Sequence, residues 1–244
     1  MLKEPKISLI IPAYNEEKRL NKFLRDVIHY YERHQNQIRE IIIVDDGSTD
    51  QTKTIPDRLK KSGIPMRVLS HKVNLGKGAA VKTGVSASRG NYIVFMDADG
   101  ATPIGELPKM INALASHDIA VGNRWLPGAV TQRHSALRRL SGWSYRTYMR
   151  LFHLGKVDTM CGFKGYRRHV AVDLFHRLQE PRWLFDTEIA YRAVRRQYSV
   201  ANVPIRWTSQ DGSKLSTWTL IKSAFRIWPL IRRIKKQERK INQS

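Results

Sequence analysis

The strongest constraint in this chain is an alternation: short apolar runs that stop abruptly at polar residues, separated by stretches with helical spacing. Ile7-Ser8-Leu9-Ile10-Ile11 stops at Pro12, and Ile41-Ile42-Ile43-Val44 stops at Asp45-Asp46-Gly47-Ser48. Runs of this length and composition read as buried strands. Between them, Leu20, Phe23, Leu24, Val27 and Ile28 lie at helical spacing within residues 16–31. A further strand over 66–69, a helix over 78–87 and a strand over 92–96 continue the pattern. Repeated strand-helix-strand units predict an α/β fold, a mostly parallel sheet flanked by helices. The 244 residues suffice for such a core, and the single cysteine, Cys161, excludes an internal disulfide. No Gly/Ser-rich linker divides the chain, so the reading is one α/β domain over 1–216 with a basic, amphipathic helical extension over 217–244.

In parallel sheets of this kind ligands bind beyond the carboxyl ends of the strands, so the residues just after each strand carry the most weight. Three of these places hold acids: Glu16 and Glu17, Asp45 and Asp46, and Asp97 and Asp99. The first strand lacks the G-x-G-x-x-G turn of a dinucleotide fold, and Gly76-Lys77-Gly78-Ala79 lacks the ending of a phosphate-binding P-loop. Asp97-Ala98-Asp99 places two carboxylates at i and i+2, able to reach one hard cation, Mg²⁺ or Mn²⁺, and through it a diphosphate. The competing role for such an Asp is a cap or turn. Thr102-Pro103 is expected to start the next helix, with Thr as cap and Pro at the first helical position, which weakens that competing role for Asp99.

Taken together, Ile10-Ile11-Pro12-Ala13-Tyr14-Asn15-Glu16-Glu17, Val44-Asp45-Asp46-Gly47-Ser48-Thr49-Asp50, Asn74-Leu75-Gly76-Lys77-Gly78 and Asp97-Ala98-Asp99-Gly100 resemble, in order and spacing, the inverting family 2 glycosyltransferases of GT-A fold. Asp158-Thr159-Met160-Cys161-Gly162-Phe163-Lys164, Trp183-Leu184-Phe185-Asp186-Thr187-Glu188 and Asp211-Gly212-Ser213-Lys214-Leu215 are similar to the dolichyl-phosphate β-glucosyltransferase branch of that group, and the likeness runs over residues 6 to 216. The resemblance implies that Pro12, Ala13, Tyr14 and Glu16 contact the nucleotide base and ribose, with Asp45 and Asp46 completing the pocket. It implies that Asp97 and Asp99 hold the metal and diphosphate, with Ala98 between them at the nucleotide. Lys77 would face the nucleotide or its phosphates, Arg124 the diphosphate from the opposite lip, and Lys214 would join them. The mannosyl branch carries a Gln two positions after the second Asp; here that position is Ala101, which favours the glucosyl branch. The implied reaction is transfer of glucose from UDP-glucose to a polyprenyl (dolichyl-type) phosphate with inversion. GDP-mannose or another sugar nucleotide as donor, and a soluble sugar or polysaccharide hydroxyl as acceptor, are the alternatives.

The acceptor decides what catalysis requires. A hydroxyl needs a positioned base, for which Asp186 and Glu188 are the candidates; the plainer reading makes Asp186 a helix cap and Glu188 a complement to the helix dipole. A phosphate monoester, with a second pKa near ~6, is already an oxyanion at neutral pH and needs only to be held. Lys164, Arg167, Arg168 and Lys214 suit that task. His71, His134, His153 and His169 lack metal-ligand spacing and read as surface or packing residues.

A formal charge of +22, from 43 Lys and Arg against 21 Asp and Glu, implies an anionic partner, and the basic residues concentrate between Arg124 and Lys240. From Leu220, the residues Ala224, Ile227, Trp228, Ile231 and Ile234 fall on one helical face opposite Lys222, Arg226, Arg233 and Lys236, with Pro229 expected to kink or split the helix. Leu137, Leu140, Tyr148 and Leu151 repeat the pattern against Arg139, Arg146 and Arg150. Such helices suit an anionic membrane surface, or else pack on the sheet with a solvated basic face. No apolar stretch is long enough to span a bilayer, and Met1-Leu2-Lys3-Glu4-Pro5 leads into a strand rather than a signal peptide. The expectation is a peripheral protein on the cytoplasmic face of a membrane. A nucleic-acid binder is the rival class, but it leaves the strand-end acids without a task, and no nucleic-acid partner is expected.

Overall fold

The computed structural model describes residues 6–59, 61, 63–132, 136–210 and 217–241. The amino-terminal half alternates β1 (Ile7–Ala13), α1 (Glu17–Arg33), β2 (Ile38–Asp45), α2 (Ile55–Leu59), β3 (Met66–Ser70), α3 (Lys77–Ala87) and β4 (Tyr92–Met96). There follow α4 (Leu107–Ser116), β5 (Ile119–Asn123), β6 (Val130–Gln132), α5 (Ala136–Met149), β7 (Phe163–Arg167), α6 (Arg168–His176), α7 (Phe185–Arg195), β8 (Val200–Pro204), β9 (Arg206–Thr208) and α8 (Thr217–Ile241).

Seven strands form one sheet in the order β3-β2-β1-β4-β7-β5-β8, parallel except for β7, which runs antiparallel to both β4 and β5. Its two faces are covered by separate apolar layers. Leu9, Ile11, Ile41 and Ile43 pack against Leu20, Leu24 and Val27 of α1 on one side, and Ile10, Ile42 and Val44 against Ala80, Val81 and Val85 of α3 on the other. That is why the strands read as unbroken apolar runs and not as alternating ones. The chain turns from β1 to β2 and β3 on one flank and to β4 on the other. This reversal opens a crevice between the carboxyl ends of β1 and β4.

Two local expectations are corrected. Thr102-Pro103 does not cap a helix: Pro103 is extended, with ψ 143°, ahead of a short 3₁₀ turn over Ile104–Glu106, and α4 begins only after it. The turn after β4 is instead closed by Asp99, whose Oδ1 accepts the Ala101 N–H at 2.9 Å. Of the two outcomes expected at Pro229, a kink or a split, the split does not occur: α8 runs unbroken through it. Ile227, Leu230, Ile231 and Ile234 of that helix are buried with Tyr145, Met149 and Phe152 beside α7, forming a third apolar core. The expected apolar face of α8 is therefore largely spent on packing, while Trp228 remains 53% exposed. No helix among the described residues is long and apolar enough to cross a membrane.

Candidate active site

A cleft of about 410 Å³ opens at the carboxyl ends of β1 and β4, beside the first turn of α3. Pro12, Ala13, Tyr14, Glu16, Asp46, Lys77, Asp97, Ala98 and Asp99 line it, joined by Arg19, Asn74, Gly76, Ala80, Arg182 and Trp183. Nine residues singled out from the sequence thus converge on one surface.

Asp46 organises the rim behind that surface. Its Oδ1 faces His71 Nδ1 at 2.7 Å and accepts Leu75 N–H at 3.0 Å, while its Oδ2 accepts Asn74 Nδ2 at 2.9 Å and Gly76 N–H at 2.8 Å. One buried carboxylate thereby folds residues 71–76 into the start of α3. His71, also 2.9 Å from Thr83 Oγ1, is a structural partner in this cluster. Asp45 is buried outside the cleft lining and accepts Ser48 N–H at 3.2 Å. Glu16 holds Arg19 through two bonds of 2.7 Å, bringing Arg19 to the cleft.

At the end of β4, Lys77 Nζ lies 2.5 Å from Asp97 Oδ1 and 5.8 Å from the centre of the Trp183 ring. Burial opposes the Lys77 charge, but Asp97, Asp186 and Asp99 outweigh it and raise the ammonium above its ordinary value. Burial, and then the neighbouring Asp97 carboxylate, push the Asp99 carboxyl up. A buried carboxyl pushed up beside a second carboxylate in one cleft is the situation a divalent cation relieves. Among the described residues no group of three or more His, Cys, Asp and Glu side chains could hold a metal. A cation here would take two protein carboxylates and complete its shell from ligand phosphates and water, a mode common for Mg²⁺. The residues present fit that ion. Gly162 closes the back of the site: its carbonyl accepts Asp97 N–H at 3.0 Å, and a Cβ there would overlap the Asp97 carboxylate.

The second-half candidates are placed differently. Arg124 is clamped by Asp158 through bonds of 2.8 and 2.9 Å and stacks 5.0 Å over the Trp207 ring. Burial opposes its charge, but Asp158 more than compensates and raises the guanidinium. Lys164 is buried with its Nζ 3.0 Å from Asp186 Oδ1 and against the carbonyl of Cys161. Burial pushes the Asp186 carboxyl up, despite the opposing effects of Lys164 and Lys77. Its Oδ1 is off the line of a hydrogen bond, and both residues line an inner cavity of about 20 Å³, separate from the cleft. Asp186 does not cap α7, whose cap position is Leu184. Glu188 is fully buried, and its carboxylate is engaged by Arg192 and the backbone of Gln179 and Glu180. That removes it as a candidate base.

The expectation that Arg167 and Arg168 hold an acceptor phosphate is overturned. Because β7 is antiparallel, Phe163 pairs with Met96 at the cleft end, whereas Arg167 pairs with Tyr92 at the far end, about 13 Å along the strand. Arg167 binds the carbonyls of Leu114 and Ala115, and Arg168 that of Ser88. Lys214 lies outside the described residues.

Sequence reasoning missed Arg19, Arg182 and Trp183 as lining residues. Arg182 and Trp183 immediately precede the Leu184 cap of α7, and an aromatic beside a cation just ahead of a helix was the signal available.

The model of glycosyl transferase family 2 matches residues 8–175. The chain is 38% identical over 229 residues to dolichyl-phosphate beta-glucosyltransferase ALG5C of Trichomonas vaginalis, covering 89% of this chain and 68% of that protein. It is 32% identical over 230 residues to the dolichyl-phosphate beta-glucosyltransferase of Saccharomyces cerevisiae, covering 86% and 69%. Among solved structures, glucosyl-3-phosphoglycerate synthase from Mycobacterium tuberculosis, crystallised with Mn²⁺, UDP and glucosyl-3-phosphoglycerate, superposes with a TM-score of 0.68. That match covers 94% of this chain and 80% of the other at 19% identity, a likeness of fold.

Proposed function

The chain belongs to glycosyl transferase family 2, and from that membership we propose that it transfers glucose, with inversion, from UDP-glucose to a polyprenyl phosphate of the dolichyl type. The observation that carries this is the Asp97–Asp99 pair facing Lys77 at the end of β4, in a chain whose relatives are named for that reaction. Pro12, Ala13, Tyr14, Glu16, Asp46 and Ala98 form the nucleotide wall, Asp45 supports it from behind, and Trp183 closes it from the other side.

Asp97 and Asp99 would hold Mg²⁺ or Mn²⁺ against the diphosphate; a structural neighbour crystallised with Mn²⁺ and UDP supports this. Bound there, the cation supplies positive charge that offsets the departing diphosphate. Lys77 adds an ammonium beside the same group, and Arg124, held by Asp158, adds positive potential behind Asp97. An acceptor phosphate oxygen attacks the anomeric carbon from the face opposite the diphosphate. The bond to the diphosphate oxygen breaks with its electron pair, and an α-linked donor becomes a β-linked lipid phosphate sugar. No side chain has to remove a proton, because the phosphate is an oxyanion at neutral pH. Asp186 and Lys164 form a buried charge pair beneath Lys77 that positions it. Lys214 remains a candidate contact for the phosphates.

The acceptor is a membrane lipid, and the enzyme settles peripherally on an anionic surface. Trp143, Leu151, Phe225 and Trp228 are exposed on α5, the turn after it and α8, alongside the exposed basic residues Arg232, Arg233, Lys235, Lys236 and Arg239. The test is transfer of radiolabelled glucose from UDP-glucose with Mn²⁺ present, to polyprenyl phosphate in detergent or to soluble glucans. Label is expected to enter the organic phase with the lipid. Label found only in soluble saccharide overturns the acceptor assignment.

A further inference from the structure

The far end of α8 is joined to the cleft by a continuous chain of polar contacts. Arg192, on the last turn of α7, is fully buried, and a buried guanidinium persists only where its donors are paired. Its Nε donates to Glu188 Oε1 at 2.9 Å, its Nη1 to Glu238 Oε1 at 2.5 Å and its Nη2 to Gln237 Oε1 at 2.7 Å. One turn earlier, Glu188 accepts the backbone N–H of Gln179 at 3.2 Å and of Glu180 at 2.8 Å. Those amides open a segment that runs under the donor cleft. Pro181 carbonyl accepts Ala79 N–H of α3 at 2.9 Å, and side chains at Gly76 or Gly78 would collide with the Pro181 or Glu180 carbonyl. The segment ends on Arg182 and Trp183, which line the cleft. Arg226 of α8, 3.6 Å from Glu180, braces the same segment.

We infer that Glu188, Arg192 and Glu238 are positioning residues for the sugar nucleotide: through residues 179–183 they set where Arg182 and Trp183 stand against Lys77. They thereby transmit the seating of α8 to the cleft. The inference rests on reading the cleft as the donor site. Its physical basis is the sharing of one carboxylate. Glu188 satisfies both Arg192 and the two amides, so loss of Glu238 leaves a buried Nη1 without its acceptor and turns the guanidinium toward Glu188. The bonds to Gln179 and Glu180 then loosen. Glu238 also holds Arg196 Nη2 at 2.9 Å, which fixes the carboxylate from a second side.

A merely stabilising network would make the same contacts, so the test compares two kinds of damage to one helix. Glu238→Ala breaks the polar chain, Ile234→Ala removes apolar packing of the same helix, and Glu238→Gln restores an acceptor oxygen. Two quantities are read on the intact 244-residue chain: amide hydrogen exchange at Gln179, Glu180, Arg182 and Trp183, and UDP affinity by calorimetry with Mn²⁺ present. Glu238→Ala is expected to speed exchange at Gln179 and Glu180 about tenfold and to weaken UDP binding about fivefold. Glu238→Gln should recover to within about twofold of wild type, and Ile234→Ala should leave both readings near wild type although its Tm falls. Equal shifts in Ile234→Ala, or unchanged exchange in Glu238→Ala, overturn the inference. Wild-type protein that fails to bind UDP overturns the donor reading alone, because the exchange comparison still decides whether the chain positions the segment.

Discussion

The amino-terminal and carboxy-terminal halves of the site differ in how much of their charge reaches the cleft, although Asp45 and Asp46 of the first half are buried and bonded within the protein. In the first half, polar residues stand at the ends of parallel strands and face outward into the cleft: Tyr14 and Glu16 after β1, Asp97 and Asp99 after β4. In the second half, Arg182 reaches the cleft, but the other charged residues of the site turn inward and satisfy one another, Arg124 with Asp158, Lys164 with Asp186, Glu188 with Arg192. The first set borders the cleft that a ligand would enter, and the second is packed away from it. Charge type does not distinguish these placements. Strand direction and burial do.

If that division holds, substitutions in the outward set cost turnover while folding survives. The largest effect is expected for Asp97→Asn and Asp99→Asn, each about 1,000-fold down in kcat, with circular dichroism unchanged. Near-normal turnover in both would dissolve the contrast.

Substitution in the inward set costs stability first. Asp158→Asn leaves the buried Arg124 without its counter-charge, which is expected to cost about 3 kcal/mol and to appear as a lower Tm. The pH dependence has a definite sign. Burial opposes ionisation of Asp158, but Arg124 prevails and holds the carboxyl below its ordinary value. The pair therefore stabilises the fold above the unfolded carboxyl value near ~4, and that contribution fades as pH falls toward the lower folded value. The Tm gap between wild type and Asp158→Asn should be widest at neutral pH and narrow in acid. A gap independent of pH would show that packing, not charge, is what Asp158 provides.

Asp186 sharpens the comparison further because it borders both sets. It is buried and paired with Lys164, yet its charge reaches Lys77. With a phosphate acceptor, Asp186→Asn is expected to retain turnover within about tenfold of wild type, since no proton need be removed. Loss of about 100-fold or more, with donor binding intact, would mark Asp186 as a base and the acceptor as a hydroxyl.

The same contrast explains what could be read from residues alone. β1, β2 and β4 are apolar runs covered on both faces, so their ends were legible, and with them Pro12, Ala13, Tyr14, Glu16, Asp46, Asp97 and Asp99. β7 was not legible, because no local pattern says that a strand will insert antiparallel between two parallel neighbours. That one reversal sends Arg167 and Arg168 to the far end of the sheet and leaves Lys164 beside Asp186. Glu188 was read as a residue at the start of a helix and lies in the first turn of α7, but its partners are Arg192 and backbone amides on a segment before α7, an arrangement that the sequence pattern does not encode. The period of α8 was right for Ile227, Ile231 and Ile234, which are buried, but not for Trp228, which is exposed. What it buries against is a matter of topology.

The smallest effect concerns the membrane, and the third core changes how it has to be measured. Deleting α8 would remove Ile227, Leu230, Ile231 and Ile234 from the core they share with Tyr145, Met149 and Phe152, so a truncated protein that lost liposome binding would report unfolding as readily as lost contact. Phe225, 79% exposed, and Trp228, 53% exposed, offer a cleaner cut, because their outer faces contribute little to that core. Trp228 does touch Phe152 edge-on at 5.9 Å and underlies Arg232 at 5.5 Å, so Phe225→Ser is the primary variant and Trp228→Ser the secondary one. Burying one such aromatic at an interface contributes roughly 1.5–3 kcal/mol at most, and partial insertion a fraction of that. Phe225→Ser is therefore expected to weaken sedimentation with anionic liposomes only about threefold, while UDP affinity and Tm stay near wild type. Added salt should weaken wild type and variant alike, since both keep the basic residues of α8. Unchanged sedimentation in both variants would move the contact to Trp143 and Leu151, or reduce the basic surface of α8 to a solvated face.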